Sequence, residues 1–192
     1  MVKQKVFKGS MTERNLATAF VTETGAFARY TFYASQADKE GFFPVGVFFK
    51  EAAANELRHA KTFFKHLEGG SVEVGMRVDA GVIADTVSNL TTAAREEIEE
   101  GVVLYTGFAR VADEEGFAAV AERFRATAEI ERHHHERFME FLKEIQDGCL
   151  WRCDEEGTTW RCLVCGFQST GMEPPAVCPA CDHPFQHCVK VK

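Results

Sequence analysis

Two Glu-x-x-His pairs, Glu56/His59 and Glu131/His134, are the residues here whose types and spacing point most directly to chemistry. At i and i+3 on a helix the two side chains share one face. A carboxylate beside an imidazole suits iron or manganese better than copper or structural zinc. One such pair is common by chance on an exposed helix. Two pairs, joined by Glu23 and Glu97 at matching depth, make a donor set able to enclose two cations. A second set lies near the C-terminus, where Cys162-x-x-Cys165 and Cys178-x-x-Cys181 have twelve residues between the knuckles. That spacing is a strong signal for one tetrahedral metal held by four thiolates.

Helices are needed to bring the first set together, and four helical patterns precede residue 148. They run from about Thr12 to Lys39, from just after Pro44 to Gly69-Gly70, from about Ala84 to Glu115, and from Phe117 to about Gln146. Proline is tolerated in a first turn, and Gly41 and Gly116 act as stops. The first two and last two helices make antiparallel hairpins, joined by a crossover from Ser71 to Gly81. Inward stripes recur at spacings of three and four. The second helix reads Val45, Phe49, Ala52, Glu56, His59, Phe63, Leu67, and the fourth reads Val120, Phe124, Thr127, Glu131, His134, Phe138, Phe141, Ile145. The first shows Leu16, Phe20, Glu23, Phe27, Tyr30, and the third Leu90, Ala94, Glu97, Glu100, Leu104, Phe108, Val111. Every stripe is apolar but for carboxylate and imidazole at its middle. Burying that much charge is costly unless cations neutralise it or it takes up protons. Glu96, Glu99, Glu129, His133, His135 and Glu136 fall off the stripes and read as solvated charge.

The two hairpins are copies. Ala37-Asp38-Lys39-Glu40-Gly41-Phe42 resembles Ala112-Asp113-Glu114-Glu115-Gly116-Phe117 at an offset of 75, which also maps Tyr30 onto Tyr105, Glu56 onto Glu131 and His59 onto His134. Glu23, however, maps onto Ile98, one residue past Glu97. For both glutamates and both tyrosines to be equivalent, the third helix must absorb one extra residue. A π-bulge does so without breaking a helix and often marks a functional site. An i→i+5 irregularity is therefore expected between about Glu97 and Tyr105, with Gly101 a suitable place, and it would turn Glu100 toward the metals.

The chain has 192 residues, with 22 basic against 29 acidic side chains. The resulting charge of −7 argues against a nucleic-acid binder. No stretch of Met1 to Ser10 reads as a secretory signal, and no apolar run approaches the roughly 18 residues of a membrane span, so a cytoplasmic protein is expected. All seven cysteines lie between Cys149 and Cys188, which puts a domain boundary near Asp147-Gly148 and divides the chain into residues 1–147 and 148–192. In a reducing compartment cysteines serve as metal ligands or free thiols, and Cys149, Cys153 and Cys188 read as free. So short a C-terminal segment needs metal to fold. The knuckles alone leave zinc and iron equal, and the attached di-metal bundle favours iron, which carries electrons.

Together these motifs resemble the rubrerythrin family over nearly the whole chain. They are Glu23, Glu56-x-x-His59, Glu97-x-x-Glu100, Glu131-x-x-His134, Trp-x-Cys-x-x-Cys-Gly from Trp160, and Cys-Pro-x-Cys-x-His-Pro ending at Pro184. The resemblance implies a mainly α fold, a ferritin-like four-helix bundle followed by a small rubredoxin-like domain. Carried over, Glu23, Glu56, His59, Glu97, Glu100, Glu131 and His134 would hold two iron ions, with Glu56 and Glu131 bridging. Glu100 would exchange with His59 as the iron changes oxidation state, and Tyr30 and Tyr105 match tyrosines behind the ligands. Cys162, Cys165, Cys178 and Cys181 would bind the third iron, with zinc or manganese as substitutes. The implied activity is reduction of hydrogen peroxide to water, in a head-to-tail homodimer or higher homo-oligomer. Electrons would come from a rubredoxin or an NAD(P)H-dependent reductase, for the chain has no Gly-rich dinucleotide fingerprint. After the first knuckle this chain has Phe167-Gln168-Ser169-Thr170-Gly171 where the family often has Tyr-x-His/Glu-Gly, a change bearing on the potential or the donor. Two other readings use the same residues. One is a ferritin-like oxidase or iron-handling protein using dioxygen, and the other a non-enzymatic bundle with a zinc ribbon.

Overall fold

The computed structural model describes residues 6–77 and 81–191, without the side chain of Glu100. The crossover residues 78–80 and the first five residues, on which two of the sequence readings partly fall, lie outside the described residues. Helices α1 (Met11–Lys39) and α2 (Phe43–His66) form the first hairpin. The third helix of the bundle is composite: α3 (Thr86–Glu96), a π-helical segment (Glu97–Leu104) and α4 (Tyr105–Glu115) run on without a break. It pairs with α5 (Ala118–Gln146) to complete the second hairpin.

Both hairpins turn in the same way. Gly41 and Gly116 adopt left-handed φ of 82° and 79°, which glycine accepts without a Cβ clash. The next residue then bonds back five positions, Phe42 to the Ala37 carbonyl and Phe117 to that of Ala112. Glu40 caps the start of α3 at the Thr86 N–H, and Glu115 caps the start of α1 at the Thr12 N–H. Asp38 pairs with Lys50 and, 75 residues on, Asp113 pairs with Arg125.

The core is two aromatic layers related by the same pseudo-two-fold axis. Tyr30, Phe49 and Phe138 form one, with Tyr30 5.4 Å from Phe138 and 5.9 Å from Phe49. Tyr105, Phe63 and Phe124 form the other, at 5.4 Å and 5.9 Å. All six rings are fully buried and sit at spacings typical of favourable aromatic pairs. The carboxylates and histidines lie between the two layers.

The expected irregularity of the third helix is present as the π segment. It also corrects the stripe drawn there. Beyond Glu97 the most buried positions are Gly101, Tyr105, Ala109 and Ala112, whereas Leu104, Phe108 and Val111 are half-buried. The inward face has moved by about one residue, as a widened turn requires.

After α5, Leu150 packs into the bundle core, and Trp151 lies parallel to Phe42 with centroids 6.0 Å apart. The cysteine region is a three-stranded antiparallel sheet in the order β2 (Gln168–Thr170), β1 (Thr159–Cys162), β3 (Cys188–Lys190). Its apolar cluster joins Trp160 with three buried cysteines, Cys162, Cys178 and Cys188. So small an apolar core leaves much of the folding energy to a metal. The His187 ring stacks on Phe43 at 3.7 Å and ties this unit to the start of α2.

Candidate metal centre

Between the aromatic layers, two donor sets share a pair of carboxylates. Glu23, Glu56, His59 and Glu131 form one and Glu56, Glu97, Glu131 and His134 the other, the ligand atoms of each set lying within 4.8 Å of one another. Every one of these side chains is buried. Glu56 and Glu131 are common to both and would be the carboxylates shared between two cations. His59 Nδ1 lies 2.9 Å from an oxygen of each of them, and His134 Nδ1 lies 3.1 Å and 3.0 Å from the same two residues. Glu23 and Glu97 complete the two ends, each 3.6 Å from the histidine of its set.

The tyrosines cross the axis. Tyr30 Oη donates to Glu97 Oε1 and Tyr105 Oη donates to Glu23 Oε1, both at 2.6 Å. Each leaves its glutamate one oxygen for a cation. Burial, reinforced by the neighbouring glutamate, pushes both hydroxyls well above the usual tyrosine range, so they stay donors.

The fit to cations is chemical as well as geometric. Oε1 of Glu56, both oxygens of Glu131 and Nδ1 of His134 are buried without a hydrogen-bond partner, a costly arrangement unless something else satisfies them. Left to themselves the groups divide protons unevenly. Burial pushes Glu23 and Glu97 well above the carboxylate range, with Glu131 and Glu56 respectively the chief repelling charges. Burial acts the same way on Glu56, but the imidazoles of His134 and His59 beside it hold it down at about 2. Burial opposes charge on His134, yet contacts with Glu131, Glu56 and Glu97 raise it to about 12, and His59 is raised likewise. Two cations would displace these protons and meet every orphaned atom.

Gly101 explains how the composite helix approaches so closely. A Cβ there would stand 2.4 Å from both Cβ and Cγ of Glu131. The π segment therefore carries a glycine at the point where it touches Glu131. Glu100 belongs to the same segment, but its side chain lies outside the described residues.

In the cysteine region Cys162 Sγ is 3.7 Å from Cys181 Sγ, and Cys165 Sγ is 3.7 Å from Cys178 Sγ. A tetrahedron with metal–sulfur bonds of about 2.3 Å has edges of about 3.8 Å, so the four thiols stand at metal spacing. Gly166 and Asp182 adopt left-handed φ of 80° and 59° just after the knuckles. Burial acts to raise the Cys162 thiol, but the N–H groups of Cys165 and Val164 outweigh it and bring it to about 7. Cys149, Cys153 and Cys188 form no disulfide.

Several residues near the site escaped the sequence reading. Glu96 is buried and His135 half-buried, where solvated charge was expected. Glu96 pairs with Arg29 at 3.1 Å, and His135 Nδ1 meets the Ala94 carbonyl at 2.7 Å in the turn before the π segment. Glu99, Glu129, His133 and Glu136 are exposed as expected. Asn55 meets the outer nitrogen of His134 at 3.2 Å. The Asn55 atom placed there is the amide nitrogen; with the amide flipped, its oxygen would accept from Nε2–H and fix the ring while Nδ1 faces a metal. Its only sequence signal is its place beside Glu56.

Comparison with known proteins agrees with this geometry. The rubrerythrin family model matches residues 14–87 and 88–156, and the model for the rubrerythrin rubredoxin-like domain matches residues 160–187. The chain is 43% identical over 183 residues to rubrerythrin of Nitratidesulfovibrio vulgaris, covering 95% of each chain. It is 44% identical over 180 residues to rubrerythrin of Porphyromonas gingivalis, covering 94% of this chain and 90% of the other. The solved structure of fully reduced, all-ferrous nigerythrin superposes with a TM-score of 0.64 at 28% identity, over 100% of this chain and 91% of the other. The glutamate–histidine cage is accordingly a di-iron site, and the four cysteines a rubredoxin-like iron site. A shared motif order, a doubled bundle and close relatives over nearly its full length all say the same: the chain belongs to the rubrerythrin family.

Proposed function

We propose that this protein reduces hydrogen peroxide to water at the iron pair and is re-reduced through the cysteine-bound iron. The observation that carries this reading is a buried carboxylate cage joined in one chain to a one-electron site. When bound, the iron pair supplies two electrons, one from each ion, which with two protons take hydrogen peroxide to two molecules of water. Dioxygen needs four electrons to reach water, one more than three irons in one chain release at one electron each. Glu23, Glu56, His59, Glu97, Glu131 and His134 would hold the pair, and Glu100 is proposed as a further ligand from the π segment. Tyr30 and Tyr105 keep Glu97 and Glu23 oriented. The aromatic layers exclude water, which strengthens the electrostatic interactions inside the cage.

Electrons would enter through Cys162, Cys165, Cys178 and Cys181 from a rubredoxin or an NAD(P)H-dependent reductase. A head-to-tail homodimer would bring this iron near the partner's cage. The setting proposed is cytoplasmic and reducing, where cysteines serve as metal ligands. Among the described residues, no helix is long and apolar enough to cross a membrane.

The test is to oxidise the pre-reduced protein with stoichiometric hydrogen peroxide and, separately, with dioxygen. Faster oxidation by peroxide supports the reading. Faster oxidation by dioxygen would make the protein a ferritin-like oxidase, and a colourless cysteine site would make that region a zinc ribbon.

A further inference from the structure

The two halves of the bundle repeat almost every feature of the cage, and one charged pair breaks the symmetry. Arg29 Nε lies 3.1 Å from Glu96 Oε2 and joins α1 to α3, with the guanidinium side chain 17% exposed and the carboxylate 5% exposed. Under the offset of 75 that relates Tyr30 to Tyr105, the mate of Arg29 is Leu104. Under the offset of 74 that relates Glu23 to Glu97, the mate of Glu96 is Thr22. One half thus carries an ion pair where the other carries leucine and threonine.

The pair stands at an opening. A cleft of about 20 Å³ reaches the ligand carboxylates Glu23, Glu97 and Glu131, and Thr22, Arg29 and Glu96 line it. That volume is room for about one water-sized molecule. The site is shaped to keep the guanidinium in place, since a Cβ on Gly25 would lie 3.3 Å from Arg29 Nη1.

We propose that the Arg29–Glu96 pair gates the metal pocket, passing small uncharged molecules and holding back cations in both directions. A metal ion moving through the cleft must shed most of its water, in a passage with room for about one water-sized molecule, and pass the guanidinium that Glu96 holds across it. A neutral molecule of a few atoms meets no such barrier. The buried Glu96 carboxylate keeps the arginine from swinging away. The gate therefore retains iron in a site that must stay open to its oxidant. This inference rests on the pocket holding a metal pair and not on which oxidant that pair meets.

A barrier on the path slows entry and exit alike and leaves the affinity unchanged. A prop for the ligands would instead change release and affinity together. The decisive variant is Arg29→Leu with Glu96→Thr, which copies the pair that the other half already carries and keeps the net charge. In the anaerobic reduced full-length protein, ferrous-ion loss to ferrozine and ferrous-ion uptake after stripping should both speed up on the order of tenfold, which corresponds to about 1.4 kcal/mol of barrier. The cysteine-bound iron, followed by its own visible absorption, should be retained as before. Arg29→Lys, which keeps the charge, should stay close to the parent and serves as the test if the double variant loses its helical circular dichroism. Exchange rates unchanged in the double variant, faster release without faster uptake, or an Arg29→Lys protein that exchanges about tenfold faster would overturn the proposal.

Discussion

Gly101 touches Glu131 so closely that a Cβ built on the glycine would overlap both Cβ and Cγ of the glutamate, at 2.4 Å. Because these are the first two atoms of the Glu131 side chain, a methyl group at 101 cannot be accommodated by a rotamer change further out. The clash must move α5 or the π segment. Gly101→Ala should therefore destabilise the loaded protein by about 1–3 kcal/mol, the usual range for overpacking. It should also lower iron bound in the cage while leaving the red absorption of the cysteine site intact. Melting and iron analysis together check this, and full occupancy at unchanged stability would show that the contact is slack.

The crossed tyrosines make a symmetrical prediction. Tyr30→Phe removes the donor to Glu97 and Tyr105→Phe removes the donor to Glu23, both 2.6 Å bonds in buried surroundings. Each variant should lose about 1.5–3 kcal/mol of stability, the range for hydrogen bonds to charged groups. The two losses should be similar, and calorimetry of the loaded variants would measure both. A large loss from one and none from the other would mean that the two ends of the cage are not equivalent.

Metal and protons compete for the same atoms. In protein stripped by a chelator, Glu23 and Glu97 are raised above 4.5, and His59 and His134 above 6.5. Groups raised on folding stabilise the fold below their unfolded values and lose that contribution as pH rises toward their folded ones. The melting temperature of the stripped protein should thus fall as pH rises from about 5 to 8. The loaded protein should show the opposite trend, because acid returns protons to the ligands, and iron uptake should acidify a weakly buffered solution. A stripped protein whose melting temperature rises over that range would contradict the charge assignment.

Cys178 separates the roles of the two iron sites. It is buried, 3.7 Å from Cys165 across the cluster. Cys178→Ser should abolish steady-state turnover with an external donor. A single oxidation of the pre-reduced iron pair should survive. Steady-state turnover at the parent rate would show that electrons bypass the cysteine region.

Much of this architecture is legible in the sequence because the periodic stripes and the repeat constrain each other. The π segment is the clearest case. Thr12 and Thr86, Leu16 and Leu90, and Glu23 and Glu97 are each 74 apart, whereas Tyr30 and Tyr105, Ala34 and Ala109, and Ala37 and Ala112 are 75 apart. One residue is inserted between the two sets, and the π segment holds it. What sequence does not show is the consequence of that insertion for its neighbours. A regular period puts Leu104 in the core, and the altered pitch leaves it half-buried. Pairings such as Arg29 with Glu96 or Asn55 with His134 join residues 67 and 79 apart and leave no periodic trace.

The most direct test of the central claim is an anaerobic titration of the fully reduced full-length protein with hydrogen peroxide, followed at the visible absorption of the cysteine-bound iron and by the charge state of the iron pair. The account predicts that one equivalent of peroxide oxidises the pair. The red ferric absorption of the cysteine site should then appear as that site passes its electron on, with water the only product. Recovery of the added peroxide, with both sites still ferrous, would contradict it.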